Sequence, residues 1–407
     1  MRLFVEEARK VLKRRTILVG VVLLLALDIY NIVANEADTD YPADIGYWQI
    51  YGHIEGTMTN ENISFVMSNY ERLSALVASG EFEAEAPSGE FYTGYAFGDW
   101  VVFDKHRQEM ERIFLYNSTI QALRSSAEEN IAFYESVGNG YESKRSGLVA
   151  ATYGTRILDH YYEMSGIHKY LSYDFSSLLI MFLLVLVACP VFAHERESGT
   201  DQVTMAAIKG RHRTALAKKH AVMSIALTLC LIFSLSDLVC FSIVSHLNGW
   251  TAPVYQVKQF GFSPLTMSVW QFAFVSFLLK CLGCAIISQI ILFFSSLLKN
   301  TVAAFALSVL LFLLCVGLYG QSAFDLANPV SFLYSRDFLA APSFANIHGM
   351  PVGRFQLVIL AGIIEVSVVY AAVHLAYVRG VSVAGKKGSS TPKPLGYQEE
   401  LGSEGGK

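Results

Sequence analysis

The chain has 407 residues, 53% of them hydrophobic and only 16% charged, with a mean hydropathy of +0.39 and a formal net charge of −4. A soluble globular chain carries nearer ~25% charge. The composition therefore excludes an ordinary soluble enzyme and points to a polytopic membrane protein, with no nucleic-acid partner expected.

Residues 2–14 place Leu3, Phe4, Ala8, Val11 and Leu12 on one helical face and Arg9, Lys10, Lys13 and Arg14 on the others. This is the pattern of an amphipathic helix lying in a membrane interface, or of a plain basic flank ahead of a span. Six apolar stretches are long enough to cross a ~30 Å hydrocarbon core at ~1.5 Å per residue. They lie at about Thr16–Val33, Ser176–Ala193, Ala221–Leu247, Met267–Leu297, Val302–Tyr319 and Phe355–Tyr377. The first lacks an Ala-x-Ala cleavage site and runs into Asp28-Ile-Tyr-Asn, so it is expected to be a retained span. Basic residues cluster in the N-terminal arm (Arg2, Arg9, Lys10, Lys13, Arg14, Arg15), after the second span (Arg196, Lys209, Arg211, Arg213, Lys218, Lys219) and in the tail (Arg379, Lys386, Lys387). With six spans all three clusters fall on one side, which the positive-inside rule makes the cytoplasm. The expected fold is an all-α polytopic membrane protein with both termini inside. Interfacial helix and first span occupy 1–33, an extracellular domain 34–170, the other five spans 171–380, and a disordered cytoplasmic tail 381–407.

The segment from Ala34 to about Lys169 carries 21 carboxylates against 9 basic side chains. That suits a solvated outer domain, or a surface that draws cations or basic peptides. Mainly helical structure is expected: Asn60 to Ala78, stopped by Gly80, and Asp104 to Val137, ended by Gly138-Asn-Gly140. Glu81–Trp100 between them reads as a loop or short hairpin. All six cysteines (Cys189, Cys230, Cys240, Cys281, Cys284, Cys315) fall in predicted spans. An exported domain built without disulfides points to a cell that does not oxidise its surface proteins, such as a Gram-positive bacterium. Cys281-Leu-Gly-Cys284 has no partner histidines and reads as small-residue helix packing, not a metal or redox site. Between the last two spans, Gln321–Val352 is amphipathic and interrupted; it lies on the outer leaflet or dips in under a cover of protein.

Ionisable residues within spans are costly and mark function by default. Here they are Asp28, Asp237, Lys280 and Glu365, with His374 near an inner end. Lys280 and Glu365 fall within roughly 5 Å of the same depth, which allows an ion pair. The alternatives are snorkelling, structural gluing, or a wet cavity at Lys280. The chain has no G-x-x-x-x-G-K-[ST] loop, no G-x-S-x-G and no H-E-x-x-H. No catalytic residue and no metal site is expected, and the chain is not read as an enzyme.

The loop after the second span runs Glu195-Arg-Glu-Ser-Gly-Thr200, then Gly210-Arg-His-Arg213 and Ala217-Lys-Lys219. It is too short to be a domain and polar enough to stay at the membrane surface, with a short helix expected between Arg196 and Gly210. This loop resembles the coupling loop of type-2 ABC export permeases, the membrane subunits of ATP-driven exporters. Ser295-Ser-Leu-Leu-Lys-Asn300 resembles a second signature of that family, and Asn328-Pro with Asn346-Ile-His-Gly349 its outer segment before the last span. The likeness covers residues 1–33 and 171–380. It implies a half-transporter that pairs with a second copy or a paralogue and with two cytoplasmic ATP-binding cassette ATPases, which would hold the ATP and Mg. It implies ATPase coupling through Glu195, Arg196, Glu197, Gly199, Thr200, Gly210, Arg211 and Lys218, with Glu195 and Glu197 meeting basic side chains of the ATPase. Its implied cargo is an amphiphile: a peptide, a lipid or a drug. The competing reading is a membrane-tethered outer receptor or sensor, which accounts for the large outer domain but not for six spans and the inner loop.

Overall fold

The computed structural model describes residues 2–37, 45–81, 92–201, 210–321, 324 and 326–387. About 77% is helical, with almost no sheet, as an all-α membrane protein requires. Among the described residues five helices are long and apolar enough to cross a membrane: Arg15–Asn35, Ser165–Glu197, Gly210–Val244, Val269–Leu297 and Arg354–Val378. The other predicted span, Val302–Tyr319, is the apolar helix Thr301–Gly317. Its 17 residues reach about 25 Å, short of a ~30 Å hydrocarbon core.

Helix α1 (Arg2–Leu12) turns at Lys13–Arg14 into α2 (Arg15–Ala37). The polar insert follows: α3 (Ile45–Ile54), β1 (Gly56–Thr57), α4 (Asn60–Ala78), α5 (Ala96–Ser136), α6 (Gly140–Tyr153), β2 (His160–Tyr161) and α7 (Ser165–Ser172). Its local signals are conventional. Thr59 caps α4 by accepting from the Asn62 N–H, Gly138 ends α5 at φ +72°, and Asn139 caps α6 through the Glu142 N–H. Helix α5 begins at Ala96, inside the stretch expected to be loop. The Asp99 carboxylate gathers the Thr93 N–H and hydroxyl (2.7 and 2.6 Å) and the Tyr92 N–H (3.0 Å), folding the preceding turn back onto the first helical turn. The insert has its own core, with Ile50, Val66, Leu73, Phe103 and Ile113 almost fully buried. In it His106 stacks on Tyr47 at 4.4 Å and shares a 2.7 Å hydrogen bond with the Tyr161 hydroxyl; burial pushes its imidazole down to about 4.

The bundle continues with α8 (Phe175–Ala188), α9 (Pro190–Glu197), α10 (Gly210–Val244), α11 (Val269–Leu297), α12 (Thr301–Gly317), α13 (Val330–Leu333), α14 (Arg336–Ala340), the hairpin β3 (Phe344–Ile347) and β4 (Met350–Gly353), and α15 (Arg354–Lys387). Helix α15 runs seven residues into the segment expected to be disordered tail; the rest of the tail, like residues 202–209, lies outside the described residues. The second and fourth membrane helices form the centre, with 72% and 56% of their apolar windows buried, against 17% for the first and last. Leu183, Leu184, Phe233, Ile287 and Ile291 lie at the heart of that core. Apolar residues such as Val22, Leu23, Ile363 and Ile364 point outward from the rim, the arrangement a hydrocarbon surround permits.

The Gln321–Val352 region contains both a buried dip and strands. All four residues of α13 are buried, and Phe332 wedges between α11 and α15. A Cβ on Gly362 would overlap the Phe332 ring, and one on Gly283 would lie 3.0 Å from its Cβ. Small residues are what let this segment enter. The β3–β4 hairpin turns at His348 and Gly349 (φ +52° and +78°), both in the left-handed region that a type I′ turn demands. The loop after α10 folds up onto the insert: Tyr153 donates to the Phe262 carbonyl (2.6 Å), Gln256 to that of His160 (2.9 Å) and Arg112 to that of Gln256 (3.0 Å).

Candidate functional site

The coupling-loop residues start at a built elbow. Pro190 has no N–H and cannot continue the α8 ladder, so the helix breaks at Cys189 and restarts as α9. The backbone groups exposed by the break find a partner in α11. Ser295 accepts the Phe192 and Ala193 N–H groups (3.0 and 3.1 Å) and donates to the Cys189 carbonyl (2.6 Å). Ser295 opens the second signature read from the sequence, and Asn300 closes it by capping α12 through the Val302 N–H at 2.8 Å.

Lys218, 2% exposed, is the hub of the elbow. Its ammonium donates to Glu195 (2.6 Å), to Glu7 of α1 (3.0 Å) and to the Val191 carbonyl (3.3 Å), while Lys10 reaches Glu7 at 2.6 Å. Burial works to raise the Glu7 pKa, but the Lys218 charge and the Lys10 and Lys218 hydrogen bonds outweigh it, so Glu7 ends below the usual carboxylate range. The amphipathic helix is thereby latched to the start of the loop. The sequence reading missed Glu7 because it assigned the packing face to apolar residues. Glu7 and Val11 are the buried ones, while Leu3 and Leu12 are 41% and 46% exposed.

Glu195, which the resemblance assigns to contact with the ATPase, is half-buried and already accepts from Lys218 within the chain. Glu197 is exposed and accepts from Thr301 at the start of α12 (2.8 Å). Ser198 and Thr200 hydrogen-bond to each other (3.0 Å) and back onto α9 carbonyls, and Gly199 turns the chain at φ +70°. Arg196, Gly210 and Arg211 are half-buried, and His194 and Arg213 are exposed. The predicted helix between Arg196 and Gly210 falls largely on residues 202–209, outside the described residues. Across the elbow, Lys219 donates to the Tyr370 carbonyl (3.0 Å) and lies 3.4 Å from that residue's ring centroid, His212 and His374 share a 2.9 Å hydrogen bond, and Phe192 packs on Tyr377. The second, third and last membrane helices are thus joined at this end.

Toward the insert end, the structure brings together three of the four intramembrane ionisable residues. Asp28 (0% exposed) accepts from the Tyr173 hydroxyl at 2.8 Å, Asp237 (4%) from Ser176 at 2.7 Å, and Lys280 donates to Ser176 at 3.4 Å. Glu365 does not belong to this group. Lys280 and Glu365 form no ion pair; Glu365 neighbours Cys315 and keeps one buried oxygen without a partner. Phe332 sits between Gly283 of α11 and Gly362 of α15, while Lys280 lines a small cavity together with Asp174 and Asp237. Cys281 packs on Cys230, sulfur to sulfur at 3.7 Å, with all six thiols free. Among the described residues there is no cluster of three metal-ligating side chains.

One larger cavity, about 550 Å³, lies where the insert meets the bundle. Lys105, Arg112, Lys169 and Lys258 line it, against Glu109 and Glu163. The chain matches no protein-family model, no curated protein and no solved structure.

Proposed function

We propose that the chain is the membrane permease subunit of an ABC exporter, working as a dimer with itself or a paralogue and driven by separate ATP-binding cassette ATPases. The observation that supports this reading is the elbow. A polar loop leaves a helix that is broken by proline, capped by Ser295 and bonded through Lys218 to the N-terminal helix. A push on such a loop is carried to three membrane helices as a rigid-body motion and is not absorbed by local bending. In this reading the exposed His194, Glu197, Thr200 and Arg213 form the contact with the ATPase, and the α1 end faces the cytoplasm of a bacterial, Gram-positive cell membrane. All six apolar helices count as spans, Thr301–Gly317 with local thinning of the bilayer. The cargo is an amphiphilic peptide, lipid or drug.

The test is to look for an ATP-binding cassette ATPase among the flanking genes, to co-express it with this chain, and to purify and reconstitute the pair in liposomes. A complex whose ATP hydrolysis is stimulated by this chain, and falls at least about tenfold with Arg213→Glu plus Glu197→Lys while assembly in the membrane persists, supports the reading. Failure of the two proteins to associate overturns it. The cavity of about 550 Å³ favours one second reading, a membrane-tethered receptor that binds a ligand on the insert without any ATPase.

A further inference from the structure

The group around Asp28 and Asp237 obeys a strict proton count. Asp28 Oδ1 takes the Tyr173 hydroxyl, and Asp237 Oδ2 takes the single hydroxyl proton of Ser176. The Lys280 ammonium is directed at the Ser176 oxygen. Asp28 Oδ2 and Asp237 Oδ1 remain buried, and neither receives a proton from any hydroxyl, amide or ammonium. Yet the two carboxyl side chains are within hydrogen-bonding reach of each other. Two carboxylate oxygens cannot bond without a proton, and two ionised carboxylates in contact repel. The charge count agrees. Two carboxylates and one ammonium leave one uncompensated negative charge inside the bundle, and one added proton removes it.

We propose that Asp28 and Asp237 share one proton, which makes the junction of the first four membrane helices a proton-binding site. The proton holds α2 against α10. Asp237 and Lys280 also line a cavity of about 70 Å³ that reaches the Asp174–Arg336 ion pair (2.6 Å) at the insert end. That is room for roughly one to a few waters, hence for exchange of the proton with that side of the membrane. The remaining titratable neighbours are Tyr170, Tyr173 and Cys240, with Asp337 behind Arg336. Loss of the proton sets two anions in contact and loosens α2 from the bundle. The inference is independent of the exporter reading, because it concerns what the site binds and not what drives the protein.

The experiment is infrared spectroscopy of the full chain in lipid nanodiscs at neutral pH, with and without ¹³C-labelled aspartate. The expected result is a protonated-carboxyl C=O band that shifts with the label, survives Asp174→Asn, and disappears in Asp28→Asn/Asp237→Asn. Raising the pH should remove the band in one step and lower the thermal stability of the unsubstituted protein with it. Asp28→Asn alone should fold and lose that linked stability change, because the remaining carboxylate can then pair with Lys280. If the double variant does not fold, the pH titration of the labelled unsubstituted chain decides. Carboxylate bands alone at neutral pH overturn the proposal, as does a labelled band that survives the double substitution. Carboxylate bands together with stability that rises on adding sodium would assign the site to a metal cation instead.

Discussion

The two ends of the bundle carry a similar chemical inventory, two carboxylates and a lysine, and use it in opposite ways. At the α1 end Lys218 stands between Glu7 and Glu195 and donates to both, and Lys10 adds a second positive charge. Every acid there has a cation, and the charges balance with no proton taken up. At the insert end Lys280 stands to one side behind Ser176, and the acids meet each other. The position of one ammonium, between the acids or beside them, separates a permanent structural joint from a site that must bind something. Counting ionisable residues does not distinguish the two; assigning every donor does.

That contrast can be broken most directly at Lys218. Lys218→Met strands Glu7 and Glu195 together, and removing one partner from a buried ionic group costs about 3–5 kcal/mol. Loss of folded protein, or a large fall in detergent-solubilised thermal stability, is expected. Lys280→Met should cost clearly less, because the acids it leaves can take up a second proton; equal losses from the two substitutions would erase the distinction. A smaller effect belongs to Gly362→Ala. The new methyl group overlaps the Phe332 ring, and overpacking of this kind costs about 1–3 kcal/mol. If Phe332→Ala added to Gly362→Ala offsets part of the loss in a double-mutant cycle, the Phe332 wedge between α11 and α15 is confirmed as the source of the overpacking. The smallest change is Lys10→Met, at a side chain 59% exposed: less than about 1 kcal/mol. The pH dependence of the two ends should have opposite sign. The folded-state pKa of Glu7 is depressed, so its contribution is present at neutral pH and is lost as pH falls through the folded value. The Asp28–Asp237 contribution is lost as pH rises. A thermal-stability profile of Asp28→Asn that falls only on the acid side, against a two-sided profile for the unsubstituted chain, checks both.

The membrane helices were legible because an apolar run of 18 or more residues has few alternatives in water or lipid. Capping signals marked the ends of α4 and α5 near Ala78 and Ser136. The start of α5 at Ala96 was hidden, because Gly, Thr and aromatic residues look like loop until the Asp99 carboxylate gathers them. The loop from Glu195 was found from its polarity, but the inward turn of Glu195 was not, since the contact that fixes it comes from Glu7. Depth along a helix is set by residue number, and it placed Lys280 and Glu365 at one level. Azimuth is set by what packs alongside, and Phe332 lies 52 positions from Lys280 in the chain. Pairing across a bundle depends on such distant neighbours, and periodicity in one segment carries no record of them.

The Glu7–Lys218 bond also sets an order of events during synthesis. Its two ends are 211 residues apart, which at a chain growth of about 5–20 residues per second is roughly 10–40 s. For that interval Glu7 has Lys10 alone as its partner, while the whole insert is made. Only when α10 arrives does α1 gain its seat. A ribosome that stalls within the insert would therefore leave a chain whose first helix is still undocked and open to proteolysis, whereas a stall well after Lys218 would not.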